Sequence, residues 1–305
     1  MEHMDELKRK IARRKFYNKI FAIVGLIASL VGIGLMFALY IDLAIDGGPR
    51  LSYDFFTSFP SRFADRAGIL SAWVGTFLVM IITAASAIPL GVGAGIYLEE
   101  YAKKNRLLNI IEININNLVG VPSIIYGLLA LSVFVYTFQL GKSILTAGLT
   151  LGLMILPIVI VATREAIRAI PNSIREASYA LGATKWQTVK DHVIPYATGG
   201  ILTGIIIGMS RAIGDTAPLL IIGALVFIAF LPPSPISADF PFINFDWLFS
   251  PFTVMPIQMF NWVTRPGEEF HQIAAAAGIV LLVMTLAMNG LAIYLRHKFR
   301  KKIKW

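Results

Sequence analysis

The chain has 305 residues, 56% hydrophobic and only 15% charged, where soluble domains carry nearer a quarter charged, so it reads as a membrane protein. Its net charge of +9 would suit nucleic acid or anionic lipid, but most of the basic residues flank apolar runs, which fits a lipid bilayer and argues against nucleic acid. The absence of cysteine excludes disulfides, thiol chemistry and Cys-ligated metal.

Residues 1–19 form a basic tail, and residues 20–41 an apolar run of membrane thickness. A signal peptide has a shorter core, about 7–15 residues, and a small-residue cleavage site. This run ends in Phe37-Ala-Leu-Tyr-Ile-Asp42, so it reads as a retained first span. A polar loop, 42–67, follows. The second span lies within Gly68–Leu98 and contains Pro89, Gly91, Gly93 and Gly95, which membrane helices tolerate and which allow close packing. After the short charged stretch Glu99–Asn109, the third span lies within Glu112–Phe138. Asn114, Asn116 and Asn117 there read as interhelical glue, and Pro122 as a kink or cap. The fourth span, Gly141–Val161, contains Pro157. A polar segment, 164–195, separates it from the fifth span, Tyr196–Leu231, which contains Arg211 and Asp215. Loop 232–270 is rich in aromatics (Phe240, Phe242, Phe245, Trp247, Phe249, Phe252, Phe260, Trp262), as expected of an interfacial belt or of a docking surface for a binding protein. Ile273–Leu295 is the sixth span, and 296–305 a second basic tail.

The expected fold is therefore an all-α integral membrane protein with six transmembrane helices. Six spans put both termini on one side. The N-terminal tail, the second–third loop, the 164–195 segment and the C-terminal tail hold seven, three, five and six Lys or Arg. The opposite loops hold only Arg50, Arg62, Arg66, Lys142 and Arg265, so both termini and the polar segment are expected in the cytoplasm.

Local signals shape the polar segment. Ser173-x-x-Glu176 and Thr184-x-x-Gln187 are capping-box patterns, Gly182 is a helix stop and Pro195 a break. Two short helices should meet at Gly182. Ile167, Ile170, Ile174, Ala177 and Leu181 make one apolar face. A DNA-binding helix–turn–helix would need its own domain, free of the bilayer. A plain connector would not need an apolar stripe, which facing water wants a partner surface.

Glu176-Ala177-Ser178, then Gly182, then Ile194-Pro195 resembles the EAA signature of the permeases of ATP-binding-cassette (ABC) importers. Ser178 stands where the signature has its third Ala, and His192 and Ile194 where it has Ile and Leu. The resemblance implies a type I importer permease core over 68–295. Its coupling residues would be Glu176, Ala177, Ser178, Gly182, Ala183 and Pro195, seated in a groove of a separate ATP-binding subunit.

Arg211 and Asp215, four residues apart, should share a helix face and partly neutralise each other. They could be an ion pair that locks two helices. Alternatively, Arg211 faces an aqueous path and handles an anion, since guanidinium presents a planar fork of donors to oxyanions. Ser210 through Leu220 resembles the fifth-span signature of the phosphate-specific permeases, in which Glu is common at the place of Asp215. Its Ala-Pro-Leu-Leu ending is nearer the PstA-type than the PstC-type branch. Gly95–Ala102, Gly120–Gly127 and Pro251–Trp262 are similar to that family too, from about Ala72 to Leu295. The resemblance implies a phosphate-importer permease with a pathway at Arg211, Asp215, Ser210 and Thr216. It implies a second, PstC-like permease, a dimeric PstB-like ATPase that holds ATP and Mg, and a PstS-like extracytoplasmic phosphate-binding protein. No cofactor is expected on this chain.

Other chemistry finds no footing. Gly141-Lys142-Ser143 imitates the end of a Walker A motif, but the required earlier Gly is Tyr136. His3, His192, His271 and His297 lack metal-ligand spacing, and no catalytic cluster is legible, so no enzyme is expected. The alternatives are an importer permease for another oxyanion, or an ion-coupled secondary transporter with Arg211 and Asp215 as relay. The latter usually carries an internal repeat, and none is visible.

Overall fold

The computed structural model describes residues 2–235 and 244–300; Phe240, Phe242 and the end of the C-terminal tail lie outside them. The described residues form helices and no strand. Five helices are long and apolar enough to cross a membrane, and a bent pair makes a sixth if counted as one span.

Helix α1 (Glu2–Gly47) runs unbroken through the expected basic tail and first span. No residue of its most apolar stretch is buried, and its C-terminal end meets the rest of the chain where Gly47 lies against Ala276. A long, apolar and unburied helix has to be covered by lipid or by another subunit. After the short α2 (Tyr53–Thr57) comes α3 (Leu70–Ile96), which continues as a wide π turn, Tyr97–Tyr101. Helix α6 (Ile144–Arg168) is the centre of the bundle, with two thirds of its apolar window buried.

Small residues set the contact between α3 and α6. Gly91 meets Val159 and Gly95 meets Thr163; from the other side Gly148 meets Ile82 and Gly152 meets Ser86. A Cβ at any of the four glycines would collide with its neighbour. The Thr83 hydroxyl lies 2.9 Å from the Val79 carbonyl on its own helix and 3.2 Å from the Gly148 carbonyl on α6. In lipid there is no hydrophobic gain in pairing apolar helices, so this close approach and such hydrogen bonds hold the pair. Helix α9 (Ile194–Gly214) packs on α6 in the same way, with Gly200 against Ala166 and Gly204 against Ala162.

Two expected spans are broken. The third is α4 (Arg106–Val119) and α5 (Ser123–Ala130, extended by a π-helical stretch, Leu131–Thr137), bent by 106°. Gly120 ends α4 and Pro122 caps α5, and the Tyr126 hydroxyl spans the break to the Leu118 carbonyl at 2.8 Å. The fifth span does not continue to Leu231. Helix α9 stops at Gly214, and α10 (Ala217–Ile221) is only five residues long. Pro218 explains the stop, because a proline lacks the N–H and its ring collides with the carbonyl four residues back, here Gly214.

Beyond α10, the aromatic loop divides. Trp247, Phe252 and Trp262 are buried, the last in α11 (Met255–Val263), and belong to the core, whereas Phe245, Phe249 and Phe260 stay exposed. Helix α12 (Glu268–Arg300) closes the bundle.

Candidate functional sites

The first site forms where the two broken spans meet. Arg211 lies in the last turn of α9 and is half-buried. Its Nη1 donates to the carbonyl of Val119, the last residue of α4, at 3.5 Å. The negative end of the α4 dipole thus faces the guanidinium. Its other N–H groups bond to none of the described residues. Helix α10 lies against α5, with Pro218 so close to Gly127 that a Cβ there would clash.

Asp215 is not where the sequence placed it. It sits beyond the end of α9 in extended backbone (φ −86°, ψ 114°), so it does not share a helix face with Arg211. Among the described residues the two form no ion pair. Its carboxylate instead accepts from the Ala217 N–H at 3.3 Å and shapes the turn into α10. Thr216 begins α10 without a side-chain cap. The Ser210 hydroxyl lies 2.7 Å from the Ile206 carbonyl and 2.7 Å from Asn289 Oδ1 on α12. Asn289 was not legible as a site residue, being a lone amide in an apolar run. Backbone that is irregular at membrane depth is tolerated only where protein buries it or water lines it. Here two such breaks share one cation.

The second site is the polar helix pair α7 (Asn172–Ala180) and α8 (Lys185–Thr188). The Thr184 capping box is complete, with the Gln187 N–H donating to Thr184 Oγ1 at 3.4 Å and the Thr184 N–H to Gln187 Oε1 at 2.8 Å. The Ser173 box is not made. Helix α7 starts at Asn172, capped by Pro171 and two residues earlier than a Ser173 cap would set it, which puts Ser173 inside the helix rather than at its cap. Gly182 adopts φ +85°, the left-handed conformation of a helix stop. The apolar stripe divides. Ile167 and Ile170 are buried, with Ile174 packed on them, beside Val193 and Ala197. Ala177 and Leu181 are exposed, Leu181 to 90%, as are Glu176, Tyr179 and Trp186. Ala183 and Pro195 are half-buried, and Pro195 does not break the chain as expected: α8 runs through a π-helical stretch, Val189–Val193, straight into α9, where Pro195 sits in the first turn and its missing N–H is tolerated.

Ser178 faces inward. Its hydroxyl is 2.8 Å from that of Thr188, both buried, and ties the two short helices together. The departure at this position is therefore matched by its neighbour, since an alanine would leave the Thr188 hydroxyl without this partner.

Sequence reading missed a charged cluster behind this pair. Glu99 and Glu100 sit in the π turn that ends α3, Glu112 on α4, Arg164 and Arg168 at the end of α6, and Arg175 on α7. Nothing in their spacing shows that four segments of the chain converge there.

A multi-span helical component, with a compact polar helix pair between two spans and a half-buried cation at a helix break, is the architecture of a transport subunit driven by partners. The chain belongs to the binding-protein-dependent transport system inner membrane component family, whose profile matches residues 87–301. It is 32% identical over 296 residues to the probable ABC transporter permease protein YqgI of Bacillus subtilis, covering 95% of this chain and 98% of that one. It is 30% identical to the phosphate transport system permease protein PstA of Yersinia pestis (98% and 95% covered) and 29% identical to that of Haemophilus influenzae (93% and 96%). Among solved structures, a bacterial alginate ABC transporter in complex with an alginate-bound periplasmic protein aligns with a TM-score of 0.62 at 14% identity, over 90% of this chain and 95% of that one. The inward-facing MetNI methionine ABC transporter aligns at 0.54 and 16%, over 76% and 95%. These two likenesses concern the fold alone.

Proposed function

We propose that this chain is the transmembrane permease subunit of an ATP-driven, binding-protein-dependent importer of inorganic phosphate in a prokaryotic inner or plasma membrane. The observation that carries the substrate reading is Arg211, half-buried at the junction of two broken helices with most of its donors uncommitted. A guanidinium so placed lowers the cost of bringing a tetrahedral oxyanion into the bilayer. The names of the PstA relatives favour phosphate among oxyanions. Ser210 and Thr216 flank Arg211 on the path, and Asp215 sets the turn that keeps the break open.

In this reading both termini and the helix pair lie in the cytoplasm. The exposed Glu176, Ala177, Tyr179, Leu181 and Trp186 dock on a dimeric ATPase that holds ATP and Mg, with Gly182 and Pro195 setting the shape of the segment. Ser178, buried under that face, fixes its form. A homologous permease covers further apolar surface, and a phosphate-binding protein delivers substrate from outside. The test is purification in mild detergent from phosphate-starved cells. An ATPase and a second permease should co-purify, and phosphate-loaded binding protein should stimulate ATP hydrolysis. Stimulation by sulfate-loaded rather than phosphate-loaded binding protein would replace the substrate, and transport without any ATPase would overturn the class.

A further inference from the structure

The charged cluster behind the helix pair consists of two groups of contacts joined by the consecutive residues Glu99 and Glu100. Arg175 on α7 donates through Nε and Nη2 to Glu100 at 3.0 and 2.6 Å. The same guanidinium donates to the carbonyls of Ile170 (3.0 Å) and Ile167 (3.2 Å) at the end of α6, where a helix leaves carbonyls orphaned. Their side chains are only 15% and 7% exposed, which removes this pair from the class of weak surface ion pairs. Beside it, Arg164, 4% exposed, lies 2.5 Å from Glu112 on α4 and 3.5 Å from Glu99. Arg168 adds a second contact to Glu99, at 3.0 Å.

Helix α7 is thereby fastened to the ends of α3 and α6, and those ends to α4. Two helical turns further, α4 ends at Val119, whose carbonyl holds Arg211. Arg164 also carries Nε and Nη2 without aligned hydrogen bonds, so charge attraction rather than a fixed bonding pattern holds it between two carboxylates. Arg164 can shift toward Glu112 without leaving Glu99 bare, because Arg168 also holds Glu99.

We infer that this cluster is the joint carrying displacement of α7 through α4 to Arg211, with Glu100 and Glu112 as positioning residues for coupling. The inference rests on the permease reading above. It adds a route through the third span to the direct one along α9. Coupling through this joint requires that α7 not move independently of the end of α3, to which the buried Arg175–Glu100 pair fastens it, nor that end independently of α4, to which Arg164 links it through Glu99 and Glu112.

The experiment uses the assembled complex in nanodiscs, with phosphate-loaded binding protein as stimulus. Glu100→Gln and Glu112→Gln should leave basal ATPase activity unchanged and cut its stimulation about tenfold, the loss expected for one charge-assisted contact. Exchanging the pair, Glu100→Arg with Arg175→Glu, should restore part of it. Should Glu100→Gln fail to assemble, Glu100→Asp keeps the charge and shortens the reach, and should lower stimulation while basal activity holds. Full stimulation in either assembled Gln variant, or in the Asp variant, overturns the joint. A wild-type complex that phosphate-loaded binding protein does not stimulate overturns the permease reading instead, so the two failures are distinct.

Discussion

Arg211 is the expensive residue of this chain. In the proposed pathway it is a charge at membrane depth, which costs about 2.5–3.5 kcal/mol on insertion scales at mid-bilayer, and the Val119 carbonyl with the α4 dipole would offset only part of that. Arg211→Lys keeps the charge and loses the fork, so phosphate uptake should fall by about tenfold while assembly is unchanged. Flux into proteoliposomes, normalised to assembled complex, measures it. Ser178 offers a test of a different kind. Ser178→Ala should destabilise the helix pair by about 1–3 kcal/mol, because the buried Thr188 hydroxyl loses its partner. Adding Thr188→Val should recover most of the loss. A thermal double-mutant cycle in detergent reads the coupling, and additive effects would mean that the two hydroxyls act independently.

Among the elements, the break between α9 and α10 matters most. Arg211 and Asp215 have the spacing of a helical ion pair, and Pro218 is what keeps them from forming one. Pro218→Ala should let α9 run on, swing Asp215 onto the face of Arg211 and neutralise it. Phosphate uptake should drop several-fold, about the effect of one exposed-to-paired cation, and Asp215→Asn in that background should restore it. Unchanged uptake in the single variant would show that the break does not control the cation. The turn at Gly182 is the corresponding feature of the helix pair. Its φ of +85° is closed to proline, and its N–H donates to the Tyr179 carbonyl at 2.9 Å. Gly182→Pro should leave the spans inserted but abolish stimulation of ATP hydrolysis by the binding protein. These two elements also mark the limits of sequence reading. Gly182, the Thr184–Gln187 box and the kink at Pro122 were legible because each is a local rule of backbone chemistry. The Ser173 box and the Arg211–Asp215 pair failed because a neighbouring proline, Pro171 or Pro218, fixed the helix end and overrode the side-chain pattern.

On the scale of the whole molecule, apolar length and composition revealed the spans, but not which helix is central. Helix α6 is buried and α1 unburied at comparable hydropathy, and only the packing distinguishes them. The charged cluster was hidden for a related reason: Glu99, Glu112, Arg164 and Arg175 come from separate segments, and convergence leaves no mark in spacing. What holds the molecule together is the small-residue seam between α3 and α6. Gly95→Leu should therefore prevent assembly altogether, seen as loss of the monodisperse complex on size exclusion.

The central claim is that Arg211 carries phosphate across a pathway driven by a partner ATPase. Labelled-phosphate uptake into proteoliposomes holding the complete complex, with ATP inside the ATPase-facing compartment, tests it most directly. Wild-type complex should accumulate phosphate only with ATP and binding protein, and Arg211→Ala should abolish accumulation in a complex that still assembles and hydrolyses ATP. Accumulation by an assembled Arg211→Ala complex at the wild-type rate would contradict the account.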